Sequence, residues 1–300
     1  MSKKSCDVQP GQGDFGNQGG RSLLAKLCVG LLAVLMIAIT VQNGQYFARG
    51  HHLHLLPMLL VCATAWVMLR DAPPPRPISV FWALATACLA CIVLELYFEI
   101  YKRKPFDEDG AVTLLSFSML LLTSFATLRI WLQRKVPGPP RLVDKGTIWL
   151  LMAIGFLYLA IDEKSLLHEG FDTSLHKFLG ITPTAWTSRI DDMLVGLYGV
   201  IGMVALWLYR AEITHFSGCL RLLKLGFVAL FLCVITDVAT NRSDLFIWLL
   251  GPVDGLLAYE FFGEAEEVFK VLAEALFLTG FAHALRTEYD EKAAGARQSA

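Results

Sequence analysis

The chain has 300 residues, length enough for two soluble domains, but 55% of them are hydrophobic and only 18% charged, with a mean hydropathy of +0.52. Soluble domains carry about 25% charged residues, so this chain cannot cover its own surface in water. It reads as an all-α, polytopic integral membrane helix bundle. A net charge of −1 and a pI near 6.7 also exclude a nucleic-acid partner.

A spanning helix needs about 17–25 mostly apolar residues, and about eight segments satisfy this in chain order. They are 22–41, 53–70, 78–100, 111–131, 146–161, 192–209, 220–237 and 266–285. The fifth is short and is expected to extend into the residues that follow it. The stretch 245–262 is apolar but interrupted by Gly251-Pro252 and Asp254-Gly255, which predicts a re-entrant or interfacial element. With the amino terminus inside, 17 of the 26 Lys and Arg residues fall on inner segments, so the positive-inside rule places both termini in the cytoplasm. The chain then divides into a polar, disordered cytoplasmic tail over 1–20, a transmembrane domain over 21–288 and a cytoplasmic tail over 289–300. A basic, proline-rich inner loop, 133–145, joins halves 21–132 and 146–288 of the transmembrane domain. Gly196, Gly199 and Gly202 in the sixth span leave room for close helix approach. Six of the seven cysteines lie in or beside apolar runs, where thiols pack as small hydrophobes and imply no disulfide framework.

The acidic residues are less evenly spread. Of 27 Asp and Glu, 19 fall in outer loops or the outer parts of spans, a bias that topology does not require. The densest segment is Asp162-Glu163-Lys164-Ser165-Leu166-Leu167-His168-Glu169. If its helix continues, Asp162, Ser165, Glu169, Asp172 and His176 form one polar stripe. Glu260, Glu264, Glu267 and Glu274 form a second stripe at the start of the last span. Asp191-Asp192 open the sixth span, Asp237 closes the seventh, and Glu95 and Glu99 end the third. Carboxylates crowded away from water cannot all stay charged without protons or cations to neutralise them. Facing Glu, Asp and His side chains also build metal sites in helix bundles, and this donor set suits Zn, Mn or Fe. The candidate divalent-metal ligands are therefore Asp162, Glu163, His168, Glu169 and Glu267, with Asp191, Asp237 and Glu274 as supporting or general-base carboxylates. His51, His52 and His54 could add ligands from the first outer loop. The plainer alternative is a solvated rim in which Lys164, Lys177, Arg189, Arg242 and Lys270 pair with nearby acids. Glu274 sits about 10 Å deeper than Glu267 along a helix, and an ionisable group at depth is a functional candidate. The plainer alternative is that Lys270, four residues before it, simply neutralises it.

A span ending in Asp162-Glu163, four residues, then His168-Glu169 resembles a pattern found in uncharacterised bacterial multi-pass membrane proteins. The resemblance is strongest over about 150–170. It implies a place for the site and an address in the bacterial inner (plasma) membrane, and no chemistry. Alkaline ceramidase-like membrane hydrolases, which gather helices around a zinc, offer an analogy only, because the paired His-x-x-x-His of their late helix is absent here. Soluble-enzyme motifs such as G-x-S-x-G and the Walker loop are absent too.

Three functions remain open. The first is a metal-assisted membrane-embedded enzyme that draws a lipid or lipid-linked substrate from the bilayer. The second is an ion- or proton-coupled transporter, against which stands the scarcity of charge in the inner halves of the spans. The third is a non-catalytic scaffold whose outer acids order loops or receive a membrane protein partner.

Overall fold

The computed structural model describes residues 74, 76–98, 111–134, 141–142, 144–165, 167–180, 190–240 and 243–298. The expected spans 22–41 and 53–70, the tail 1–20, His51, His52, His54 and Glu99 lie outside them. So do the side chains of Glu95, His168, Glu169, Asp172, Asp191 and Asp192.

All regular structure among the described residues is helical. The helices are α1 (Pro77–Phe98), α2 (Ala111–Arg134), α3 (Thr147–Ser165), α4 (Leu167–Leu179), α5 (Ile190–Leu208), α6 (Arg210–Ile213), α7 (Ser217–Thr240), α8 (Asp244–Leu250) and α9 (Pro252–Gln298). A 3-10 turn over Thr214–Phe216 joins α6 to α7. Among the described residues three stretches are long and apolar enough to cross a membrane: Leu115–Arg134, Arg210–Thr240 and Pro252–Gln298. Trp82, Leu157, Met193, Trp207, Ile235 and Trp248 stand exposed around the outside, as side chains facing acyl chains would.

Helix α9 organises the molecule. It packs on α7, α2, α8 and α1, while α2 also packs on α3 and α5 on α7. At 47 residues it is about 70 Å long, more than twice a hydrocarbon core of ~30 Å. The expected span 266–285 is thus only its middle, and the expected tail 289–300 is helical as far as Gln298.

The stretch 245–262 is broken at Gly251-Pro252, as expected, but not at Asp254-Gly255. Gly251 breaks the chain at φ +85°, in the left-handed region where glycine carries no steric penalty. Pro252 then starts α9, since its missing N–H and fixed φ suit a first helical position. Asp254, expected to break the helix, instead sits in its first turn, where a carboxylate complements the helix dipole. Gly255 is required for a different reason. A Cβ there would lie 2.6 Å from the backbone of Phe246 and Ile247, so α8 folds back onto α9 with their backbones touching.

The core is an aromatic ladder between α3, α7 and α9. Phe156 meets Phe281 at 5.5 Å and Phe277 at 5.7 Å, Phe227 meets Phe277 at 5.1 Å, and Trp149 meets Phe216 edge-on at 5.2 Å. Glycine lets α7 approach closely enough: a Cβ on Gly226 would stand 2.6 Å from the Phe277 ring. Gly226→Val should therefore cost about 1–3 kcal/mol of overpacking, read as a lower melting temperature in detergent, whereas Gly263→Ala, which meets nothing within 4 Å, should not lower it. Gly196 and Gly199 of α5 lie against Val234 and Leu230 of α7.

Candidate functional site

The expected polar stripe from Asp162 to His176 falls on α3 and α4. Helix α3 is described to Ser165 and α4 from Leu167, and Leu166 between them lies outside the described residues. Asp162 is buried, as is His176, but Ser165 is exposed. The second stripe holds, because α9 is continuous through it, and it grades inward. Glu260 is exposed, Glu264 and Glu267 are half-buried, and Glu274 is buried.

The two stripes meet through Lys270. Its Nζ lies 2.8 Å and 2.9 Å from the two carboxylate oxygens of Glu267, one turn earlier on α9. The same Nζ lies 3.3 Å from Oε1 of Glu163 at the end of α3. Lys270 therefore bridges Glu163 and Glu267, and the alternative pairing with Glu274 gives way to these two contacts. All three side chains are less than a quarter exposed.

Glu274 finds its partner on another helix. Ser116 of α2 donates a hydrogen bond of 2.7 Å to Glu274 Oε1, and both residues are buried. Glu274 Oε2 is buried with no hydrogen-bond partner. Three carboxylates thus face one ammonium, and the deepest carries an oxygen that nothing satisfies. Thr240, at the end of α7, reaches Glu266 at 3.3 Å, which draws a fourth helix to this end. Asp237 is half-buried one turn earlier on α7.

Among the described residues no three His, Cys, Asp or Glu side chains converge to hold an ion. An ammonium stands between Glu163 and Glu267, while the side chains of His168 and Glu169 lie outside the described residues.

The opposite end of the bundle holds a cluster that the sequence reading missed. Arg134, the last residue of α2, sets Nε and Nη2 against both oxygens of Glu212 on α6, at 2.5 Å and 3.2 Å. Its Nη1 lies 2.6 Å from Glu288 on α9. Trp149 of α3 donates to Glu212 at 3.0 Å, and Lys292 approaches Glu288 at 3.2 Å. Both carboxylates are only 5% exposed, and the cluster borders an open cavity of about 490 Å³. Arg134 falls in the expected basic inner loop 133–145, and Glu212 and Glu288 are among the acids that the expected topology leaves on the inner side. The available signal was weak: Glu212 and Glu288 are two of only eight acids on a basic side.

With both clusters in place, a family can be assigned. The family described as Domain of unknown function (DUF8692) matches residues 84–285, more than half of the chain. The chain belongs to this family. The DUF8692 match spans Ser116, Arg134, Glu163, Glu212, Glu267, Lys270 and Glu274, while Glu288 falls just beyond it. No curated protein and no solved structure matches the chain.

Proposed function

We propose that this DUF8692 protein is a multi-pass membrane transporter that moves protons, with Glu274 as the group that takes the proton up from the extracytoplasmic side. The unsatisfied, buried Oε2 of Glu274 carries this reading. Glu163, Glu267 and Glu274 against Lys270 leave a formal excess of two negative charges, which burial makes costly. A single vacant oxygen can accept a proton, whereas a divalent ion asks for four or more ligands. Glu274 lies about 10 Å below Glu267 along α9, and the half-buried trio above it gives a way in from that side.

The test uses purified protein in sealed liposomes with a pH-sensitive dye inside and an acid step outside. Wild-type protein should speed acidification over empty vesicles, and Glu274→Gln, which keeps the shape and one acceptor, should abolish the difference. No protein-dependent acidification with wild type would end the transporter reading.

The bilayer setting rests on the same placement. About eight spans, both termini cytoplasmic and the bacterial inner membrane fit the basic-residue bias and the D-E-x4-H-E resemblance. Ser174 on α4 and Lys145 ahead of α3 are both exposed and fall on opposite sides in this topology. Cysteines at Ser174 and Lys145 should therefore label from outside and inside, respectively, in intact cells. Labelling of both from one side would overturn it.

One observation favours a metal-dependent enzyme acting on a lipid-like substrate as the second reading. Asp162 is 4% exposed and Glu163 half-buried at the end of α3, immediately ahead of His168-Glu169 in sequence. Metal analysis of detergent-purified protein separates the readings. Stoichiometric Zn, Mn or Fe in wild type, lost in His168→Ala, would establish the enzyme reading. Metal-free protein in both would remove it and leave a scaffold as the rival to transport.

A further inference from the structure

The two charged clusters lie at opposite ends of one face of α2. Ser116 and Arg134 are 18 residues apart, five full turns of 3.6 residues, so they share an azimuth about 27 Å apart. That span is close to the hydrocarbon thickness of ~30 Å. Ser116 bonds Glu274 and Arg134 bonds Glu288, so both ends of this face are turned toward α9. Thr123 and Thr127 fall within about 20° of the same azimuth, and both are at most 1% exposed. Each donates its hydroxyl hydrogen to a carbonyl of its own helix: Thr123 to Met119 at 2.7 Å, Thr127 to Thr123 and Ser124 at 2.9 Å. The hydroxyl lone pairs remain available as acceptors. Ser124, on the neighbouring face, has a structural task, since it bonds Ala153 O of α3 at 2.7 Å.

We propose that this face of α2, running Ser116, Thr123, Thr127 and Arg134, is the route by which a proton taken up at Glu274 crosses the membrane, with the Arg134–Glu212–Glu288 cluster closing its far end. Glu274 supplies the independent pointer: its unpartnered oxygen is buried at the head of the route, next to Ser116. The steps from Ser116 to Thr123 and from Thr127 to Arg134 are about 10 Å each, so water must enter between them for a proton to pass. The closed packing described here is then the resting state. Opening needs the α2–α9 seam to loosen, and the ion pairs at its far end set the threshold.

This inference rests on the transporter reading, and the experiment separates their failures. Thr123→Val with Thr127→Val keeps shape and branching while removing both hydroxyls. In the liposome assay the pair should lower proton flux about tenfold, as removing a hydrogen-bonding group at a barrier does. Thr123→Ser with Thr127→Ser should restore it, and Ser124→Ala should leave it near wild type. Melting temperatures in detergent check that the valine variant is folded. Flux that depends on Glu274 but ignores the threonine pair would overturn the route and leave the transporter reading standing. Absence of flux in wild type would overturn both.

Discussion

Arg134→Met is expected to be the most destabilising single change, at about 3–5 kcal/mol, the range for breaking a buried ion pair by removing one partner. Arg134 satisfies two carboxylates at once, and both are 5% exposed. Without it, among the described residues Glu212 keeps the Trp149 N–H and Glu288 keeps Lys292. Because the guanidinium borders an open cavity and water can partly replace it, the lower end of the range is expected. The triple variant Arg134→Met, Glu212→Gln, Glu288→Gln should recover much of the loss, since a glutamine at 212 still accepts from Trp149 and no charge is stranded. Thermal melting of the purified protein in detergent reads both. A mild effect of the single change, or no recovery in the triple, would show that the cluster does not hold the α2, α6 and α9 ends together.

Lys270→Met should have the second largest effect, and its signature lies in coupling. Glu163 and Glu267 share one ammonium across α3 and α9, so removing the lysine leaves two carboxylates facing each other without a counter-charge. The loss should approach that of Arg134→Met. Glu163→Gln and Glu267→Gln made together in the Lys270→Met background should relieve it. In the wild-type background the two glutamine changes should be non-additive, with coupling of about 0.5–3 kcal/mol, because they address one shared partner. Additive losses would mean that Lys270 serves only its near neighbour, Glu267.

These expectations differ in how far the sequence anticipates them. Glu267 and Glu274 were legible as a stripe because α9 is continuous and seven residues return to nearly the same azimuth. The same rule places Asp162 and His176 on one face, and both are buried, on α3 and α4 respectively. The rule holds only where no break intervenes. Gly251-Pro252 did announce one, since a residue with positive φ followed by proline ends one helix and begins another. Asp254-Gly255 carried a similar composition and proved helical. Its glycine answers to the backbone of Phe246 and Ile247 across the α8–α9 turn, a contact that composition does not encode.

The sequence by itself determined the apolar composition, the helical class and the polar face of α9. Each follows from local hydropathy and helical period, which depend on neighbouring residues only. Tertiary structure decided which charges meet. Ser116 and Glu274 are 158 positions apart, Arg134 and Glu288 154, and Arg134 and Glu212 78. A helix face read from sequence says that a side chain points inward. Which helix it meets depends on how the helices pack, and here that packing is fixed by shape: glycine against phenylalanine at Gly226 and Phe277, and the aromatic ladder along α9. That is why Lys270, which could have neutralised Glu274 four residues away, instead spans to Glu163, and why Arg134 looked like a loop charge until α2, α6 and α9 closed around it.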